Sequence, residues 1–389
     1  MRRHWQKKPL LVRQAMPGFQ PLLNRAALFK LAAREQVESR LIVQQAKGWR
    51  MKQGPVAPRS LPPLGQEAWT LLVQGVDMHD PGAHALLQKF RFVPDVRLDD
   101  LMISFATTGG GVGPHFDSYD VFLLQASGRR RWKIGQQKDL TLQQGVPLKI
   151  LQNFEPDEEF VLEAGDMLYL PPRYAHDGVA EASLGPDGKA ADCITYSIGF
   201  RAPGRTELAA ELLHRLAEFS EDEAETSSGD AGRRVARPPH IYRDPRQAAT
   251  ATPAALPAGL AAFAEQAVRE ALKDPLAMAC ALGEYMTELK PSVWFEEPAH
   301  GWDPDAARTG DARIHLDART RMMYDSDHVF INGESYRAKG ADAGLMHRLA
   351  DQRSLSSGEL RKASVSAIAL LGDWHDAGWL RQELPGADS

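Results

Sequence analysis

The sequence predicts a mainly β domain of the jelly-roll type, followed by an α-helical region and a small α+β unit. Three observations carry that prediction. From Asp99 to about Pro203, short apolar runs with two-residue alternation are separated by Gly, Pro and Asp, the pattern of many short strands. From Thr206 the period becomes helical, with Leu208, Leu212, Leu216 and Phe219 on one stripe. Beyond residue 311, apolar runs flank Asn332-Gly333, a strong hairpin signal, and helical stretches follow near 342 to 351 and 358 to 376.

Residues 1 to about 95 mix short helical and extended patterns, among which Trp69 to Val76 reads as a buried strand bounded by turn residues. Leu101, Ile103 and Phe105 alternate with Met102, Ser104 and Ala106, and Val121 to Gln125 is a further strand. Ala126-Ser127-Gly128 turns the chain, and Arg129 to Ile134 returns as the hairpin partner. Met167 to Leu170 and Cys193 to Phe200 complete a set whose spacing suits a double-stranded β-helix of the cupin type. Residues 220 to 257, first acidic with Ser and Gly and then scattered with Arg and Pro, read as a linker or extended arm. A second helical region runs from about Ala258 to Leu289, with Leu260, Phe263, Ala267, Ala271 and Leu272 at helical spacing and Pro275 breaking or kinking it. Met322 to Tyr324 and Val329 to Ile331 flank Asp325-Ser326-Asp327 and lead to a unit that resembles a winged helix. The domains so expected are 1–205 (β domain), 206–305 (helical, with the linker) and 306–389 (winged-helix-like).

A chain of 389 residues exceeds what one core usually serves, which agrees with several domains. The net charge of −5 argues against a general nucleic-acid-binding surface. From residue 311 onward, 10 Lys/Arg stand against 12 Asp/Glu, so the winged-helix-like unit lacks the basic footprint of a DNA binder and reads as a protein-contact or stabilising module. Cys193 and Cys280 are the only cysteines, so no disulfide framework is implied and a reducing cytoplasm fits. Residues 1–9 are basic, but only Leu10 to Val12 follow before Arg13, too short for a signal segment, and no run of about 18 apolar residues occurs, so no membrane association is expected.

The chemistry is concentrated in His115, Asp117 and His176. Residues i and i+2 of a strand point to one side, so His115 and Asp117 can face a common point while His176 arrives from a distant strand. Two imidazoles and one carboxylate form the facial triad of non-heme Fe(II) oxygenases, which leaves coordination positions open for a cosubstrate and O2. With 12 His and 28 Asp, composition alone produces about one His-x-Asp, and His315-Leu316-Asp317 is such a chance occurrence. Context distinguishes His115-Phe116-Asp117: a glycine turn, Gly109 to Gly113, leads into it, and Gly165-Asp166, an apolar run and Pro171-Pro172 precede His176. The glycine run lacks the Gly-Lys-Ser/Thr ending of a phosphate loop, and its role is to turn the backbone into the metal strand.

An iron site of this kind takes a 2-oxo acid, whose far carboxylate needs a cation. Arg130 shares a strand face with Trp132 and Ile134, so it points inward, where a guanidinium is costly unless it meets an anion. It is the expected ligand of the 2-oxoglutarate C5 carboxylate, whereas Arg129 and Arg131 belong to the solvated face. Ser104 is a lesser candidate for the same carboxylate. Asp120, Tyr119 and Asp177 lie close in sequence to the metal ligands and are candidates for receiving a cationic substrate side chain.

Asp100 to Phe105, the glycine-rich approach to His115-Phe116-Asp117, Tyr119-Asp120-Val121-Phe122, Gly128-Arg129-Arg130-Arg131-Trp132 and Tyr196 to Pro203 together resemble the bacterial ribosomal oxygenases, which are JmjC-type 2-oxoglutarate dioxygenases. His4-Trp5-Gln6-Lys7-Lys8-Pro9 is similar to their usual start. The likeness is dense from about residue 60 to 205 and looser beyond. It implies hydroxylation of an arginine β-carbon in the sixteenth protein of the large ribosomal subunit, with Fe(II), 2-oxoglutarate and O2, by a homodimer joined through its helical region and carrying a C-terminal winged helix. It also implies His115, Asp117 and His176 as iron ligands and Arg130 with Ser104 at 2-oxoglutarate. The Ser/Asp/Arg-rich stretch near 221 to 247 departs from the family pattern and bears on the dimer contacts, not on the metal site. Two other readings stay open: histidine hydroxylation or lysine demethylation by the same chemistry, and a non-catalytic metal-binding cupin scaffold, which would have no need of an inward Arg130.

Overall fold

The computed structural model describes residues 1–46, 48–185, 188, 190–226, 241–245, 254–309 and 312–384. The expected linker at 220 to 257 and the stretch near 221 to 247 fall largely outside the described residues, as does the side chain of Phe219. The chain divides into two compact units, one of Met1–Ala202 with Pro291–Trp294 and one of Pro203–Lys290 with Phe295–Ser389.

The first unit holds β1 (Leu10–Val12), α1 (Arg25–Leu31), β2 (Ser39–Gln45), β3 (Gly48–Gln53), β4 (Trp69–Val73), α2 (Pro81–Gln88), β5 (Leu98–Ala106), β6 (Asp120–Ser127), β7 (Arg129–Gly135), β8 (Glu158–Leu162), β9 (Met167–Leu170), β10 (Ala175–Glu181) and β11 (Cys193–Phe200). Eight strands form an antiparallel sheet in the order β1-β9-β6-β11-β5-β4-β2-β3, which faces a second sheet, β10-β7-β8. Alternation sorts the side chains of the large sheet. Ile103, Phe105, Tyr196, Ile198 and Phe200 join a core closed by α1 and α2 through Leu28, Leu31, Leu86 and Leu87. Val121, Leu123, Leu168 and Leu170 point the other way and meet Trp132, Ile134 and Leu162 of the second sheet, making the jelly-roll interior. Gly128, at φ +66°, makes the tight turn between β6 and β7.

The expected strands at 99–106, 121–125, 129–134, 167–170 and 193–200 are present, and the one expected at 69–76 ends at Val73, after which Val76 opens a helical turn. The N-terminal region contributes more sheet than its pattern shows. Leu10–Val12 pairs with Met167–Tyr169 of β9, and Arg13 holds Asp166 at 2.6 Å. Trp5 stacks on Tyr169 at 5.7 Å and meets the edge of Phe200 at 5.2 Å. Beneath it, the fully buried carboxylate of Asp120 accepts from Tyr169 (2.6 Å) and Gln6 (3.1 Å) and pairs with Arg97 (3.0 Å).

The second unit holds α3 (Arg205–Thr226), α4 (Ala258–Ala271), α5 (Pro275–Thr287), α6 (Pro304–Thr309), β12 (Arg313–Leu316), β13 (Met322–Tyr324), β14 (His328–Ile331), β15 (Glu334–Arg337), α7 (Gly340–Gln352), β16 (Ser354–Leu355), α8 (Ser357–Leu360), α9 (Val365–Asp376) and β17 (Leu380–Glu383). Pro275 ends one helix and starts the next, with Asp274 capping the amide of Leu276. Asn332 and Gly333 both take positive φ in the β14–β15 hairpin, as a type I′ turn requires. The helices expected to form a region of their own join the C-terminal strands in this one unit. Ser335 donates to Glu284 (2.6 Å), the Gly333 amide donates to Thr287 (3.1 Å), and the Phe330 ring fills the space over Gly283. Among the described residues, no helix is long and apolar enough to cross a membrane.

Because Asp120 is buried with three partners, Asp120→Ala leaves Arg97 and Tyr169 uncompensated, and the expected cost is about 3 kcal/mol. Urea unfolding of the variant checks this, and an unchanged midpoint would contradict the anchoring role.

Candidate metal and oxo-acid site

The expected strand at His115 and Asp117 is an irregular segment between β5 and β6, in which His115 makes one isolated bridge and Asp117 none. The segment turns at Gly113, whose φ of +81° and close neighbours Trp49 and Ile150 leave no room for a side chain. The Gly113 carbonyl accepts a hydrogen bond from His115 Nδ1 at 2.8 Å. Across the gap between the sheets, His115 and His176 form an antiparallel bridge, each amide donating to the other's carbonyl at 2.9 and 2.8 Å. His176 Nδ1 meets the Tyr174 carbonyl at 2.9 Å. A carbonyl only accepts, so both Nδ1 atoms carry the proton and both Nε2 atoms offer a lone pair. The imidazole centroids are 4.2 Å apart, and Asp117 Oδ2 lies 3.7 Å from His176 Nε2. One ligand atom from each of His115, Asp117 and His176 falls within 4.8 Å of the others, and this is the one such group of three among the described residues. His315 and Asp317 are not brought together for a metal: His315 reaches Glu383 at 3.2 Å, and Arg319 holds Asp317 at 2.7 Å.

Arg130 is where alternation places it. On β7 the inward set is Arg130, Trp132 and Ile134, all buried, while Arg129 and Arg131 pair with Glu163, Glu159 and Glu181 on the outer face. The Arg130 guanidinium has one long hydrogen bond, Nη1 to the Gly178 carbonyl at 3.4 Å. Its Nε and Nη2 are buried with no partner. A buried, permanently charged group with open donors is a carboxylate-sized demand for an anion. The guanidinium carbon lies 5.8 Å from the Trp132 ring, which in turn lies 5.8 Å from the His176 ring, so Trp132 links the cation to the His/Asp/His cluster. Gly178 keeps that stack close, because a Cβ there would fall 2.5 Å from the Trp132 ring.

This arrangement has known counterparts. The JmjC domain family matches residues 85–208, and the ROXA-like winged-helix family matches residues 270–381. The ribosomal protein uL16 3-hydroxylase of Escherichia coli is 34% identical over 343 residues, covering 86% of this chain and 83% of that protein. The chain belongs to the JmjC-type ribosomal oxygenases. A crystal structure of E. coli YcfD aligns over 98% of this chain and 96% of its own, at 30% identity and a TM-score of 0.81. Another, of the E. coli ribosomal oxygenase YcfD with cobalt and 2-oxoglutarate, aligns over the same shares at 28% identity and a TM-score of 0.77.

In this ribosomal oxygenase the remaining candidates separate by contact. Ser104 is buried on β5, and its hydroxyl donates to the Thr195 carbonyl at 3.3 Å. Tyr119 is partly exposed and hydrogen-bonds Asp117; burial, then Asp117 and Asp100, push its phenol far above the usual range. Asp177 follows His176 on β10, with one carboxylate oxygen buried and unpartnered, and burial raises its pKa against the pull of His115, Lys133 and Arg130. Asp120 stands apart: the contacts that anchor the N-terminal segment occupy its carboxylate, which leaves it out of the substrate proposal. Several contributors escaped sequence reasoning. Trp49 closes on Gly113 from the β2–β3 hairpin, and the amide of Arg173, held at φ +64°, donates to the Asp117 carbonyl at 2.7 Å. Gly113 was a readable signal, but nothing near Trp49 points to a residue 64 positions away.

Burial and the neighbouring His115 lower His176 to about 4, so it stays neutral and ready to ligate at any physiological pH. In the unfolded chain an imidazole titrates near 6.5. Between those values the unfolded state takes a proton that the folded state refuses, so this contribution is full above about 6.5 and is lost as pH falls toward 4. Metal-free protein should lose up to about 3 kcal/mol over that window. Urea midpoints at pH 7 and 5 capture the upper part of that window, about 2 kcal/mol, and the drop should be smaller in His176→Gln. Equal drops in both proteins would refute the assignment.

Proposed function

We propose that this chain is an Fe(II)- and 2-oxoglutarate-dependent dioxygenase that hydroxylates the β-carbon of an arginine side chain in the ribosomal protein uL16. The observation that carries the cosubstrate is Arg130, whose buried guanidinium has two unsatisfied donors beside a His/Asp/His cluster. A structural metal site has no use for such a cation, which speaks against the non-catalytic scaffold. His115, Asp117 and His176 would hold the iron through Nε2, a carboxylate oxygen and Nε2. Arg130 would take the C5 carboxylate of 2-oxoglutarate, with the Ser104 hydroxyl as a second donor once it turns from Thr195. Bound iron with 2-oxoglutarate and O2 supplies the oxidant for an unactivated C–H bond, converting 2-oxoglutarate to succinate and CO2. The chain's own part is to hold two imidazoles in the metal-binding tautomer, to fix the oxo acid by its far end, and to surround both with the apolar shell of Val121, Leu123, Trp132, Ile134, Leu162, Leu168 and Leu170.

Carbon 3 of an amino acid is its β-carbon, so the name of the E. coli relative supports that position and that protein. Arginine is favoured by a partly exposed Tyr119 and a half-buried Asp177 next to the metal ligands, an aromatic face and a carboxylate suited to a guanidinium. A ribosomal protein substrate supports a cytoplasmic location. We further assign homodimer formation to the helices of the second unit, where Leu213, Leu260, Val268, Leu272, Leu276 and Leu282 are exposed.

Purified protein with Fe(II), 2-oxoglutarate and uL16 should add one oxygen to one arginine, read by mass spectrometry of peptides. A modified histidine or a demethylated lysine would replace the arginine reading, and no 2-oxoglutarate turnover with any substrate would end it. His115→Ala should abolish turnover, and Arg130→Met should raise the KM for 2-oxoglutarate about a hundredfold, as expected for two lost charge-assisted bonds. For the dimer, the double variant Leu260→Asp, Leu272→Asp should halve the mass seen by light scattering. An unchanged mass would move the interface elsewhere.

A further inference from the structure

The first 34 residues carry Arg2, Arg3, Lys7, Lys8, Arg13, Arg25, Lys30 and Arg34 and no acidic residue, while the remainder carries 38 Lys/Arg against 51 Asp/Glu. The net negative charge therefore hides a segregated basic segment. Part of it is neutralised by the fold: Arg13 pairs with Asp166 and Arg25 with Asp192, both at 2.6 Å. Arg2, Arg3, Lys7 and Lys8 are different. All four are exposed, and none has an acidic partner among the described residues. They sit on one compact turn, tied by the amides of His4 and Trp5 to the Met1 carbonyl and of Lys7 and Lys8 to the His4 carbonyl. Lys7 Nζ also donates to the Arg2 carbonyl at 3.0 Å, which brings the two basic pairs together.

The turn is held rigidly from beneath. Trp5 stacks on Tyr169, the Gln6 amide donates to the Tyr169 hydroxyl at 2.7 Å, and Arg97 lies 5.7 Å over the Trp5 ring. Phe122 links Trp5 to Phe92, whose ring is 56% exposed at the border of the same cluster. Preorganised cations beside an exposed aromatic ring are the two components of an RNA-binding surface: the cations follow the phosphates, and the ring accepts a base.

We propose that the Met1–Lys8 turn with Phe92 is an RNA-docking surface that brings the enzyme to its substrate on ribosomal RNA. The proposal rests on the ribosomal-protein reading above. A basic ribosomal protein would be repelled by this turn, whereas the RNA that such proteins sit on complements it.

Fluorescence anisotropy of a labelled single-stranded RNA with the full-length protein tests the proposal. Four phosphate contacts predict affinity falling about 50-fold between 50 and 200 mM salt. K7E/K8E should weaken binding at least about tenfold, and R2E/R3E/K7E/K8E should abolish it. The charge-matched pair K30E/R34E on the α1 side should change it less than about twofold. All variants should hydroxylate free uL16 peptide like the parent, which separates docking from chemistry. The proposal is overturned if the parent does not bind RNA at 100 mM salt, if both double variants lose binding equally, or if the protein binds phosphatidylglycerol vesicles and not RNA. RNA binding by this turn without hydroxylation of uL16 would leave the surface standing and remove the substrate reading.

Discussion

Two backbone hydrogen bonds, from His115 to His176 and back, set the distance between the imidazoles before any ion arrives. His176 belongs to the β10–β7 ladder, whereas His115 lies outside any strand and is joined to it by this bridge alone. Each ring is then turned by a carbonyl two residues earlier, Gly113 for one and Tyr174 for the other. The geometry is therefore written in main-chain contacts, which resist rearrangement more than side-chain packing does. Glycine at 113 is the local condition for this, because only a residue free of Cβ accommodates both the positive φ and the Trp49 ring.

The same logic explains the interior cation. An arginine cannot shed its charge as a lysine can, so a buried one must be answered by hydrogen bonds. On β7 the period of two forces Arg130 inward with Trp132 and Ile134, yet the fold answers only one of its donors, at 3.4 Å. Two further donors, Nε and Nη2, have no partner in the protein, and a carboxylate entering there would meet them. Under the proposed function, an oxo acid with a second carboxylate would meet that demand, and one lacking it would not.

Much of this was legible in the sequence because it depended on local rules. The inward Arg130, the Gly128 turn and the Asn332-Gly333 hairpin each follow from strand alternation or positive φ, properties of a few neighbouring residues, whereas His115 and Asp117 come together with His176 without the strand expected to carry them. What escaped prediction depended on distant pairing. Leu10–Val12 is too short to announce itself and is a strand only because β9 offers an edge. Trp49 and Asp120 acquire their roles from partners on other elements. Asp120 in particular has the residue type and position of a substrate ligand and becomes an internal anchor because Arg97, Gln6 and Tyr169 converge on it. The helical region and the winged helix differ in period and so read as separate, although Gly283 and Phe330 pack them into one unit.

Net charge is likewise a property of the whole chain and not of a surface. A value of −5 spread over 389 residues describes the field at long range, but charges farther apart than the Debye length, about 8 Å at physiological salt, are largely screened from one another. What an approaching polyanion feels is the local arrangement, and on the Met1–Lys8 turn that is four exposed cations fixed over an aromatic base. Pairing decides which basic residues count: Arg13 and Arg25 are neutralised by Asp166 and Asp192, while the turn, which the Trp5 stack holds on the sheet, keeps its charge free. The fold, and not the composition, therefore determines where this acidic protein presents a basic face.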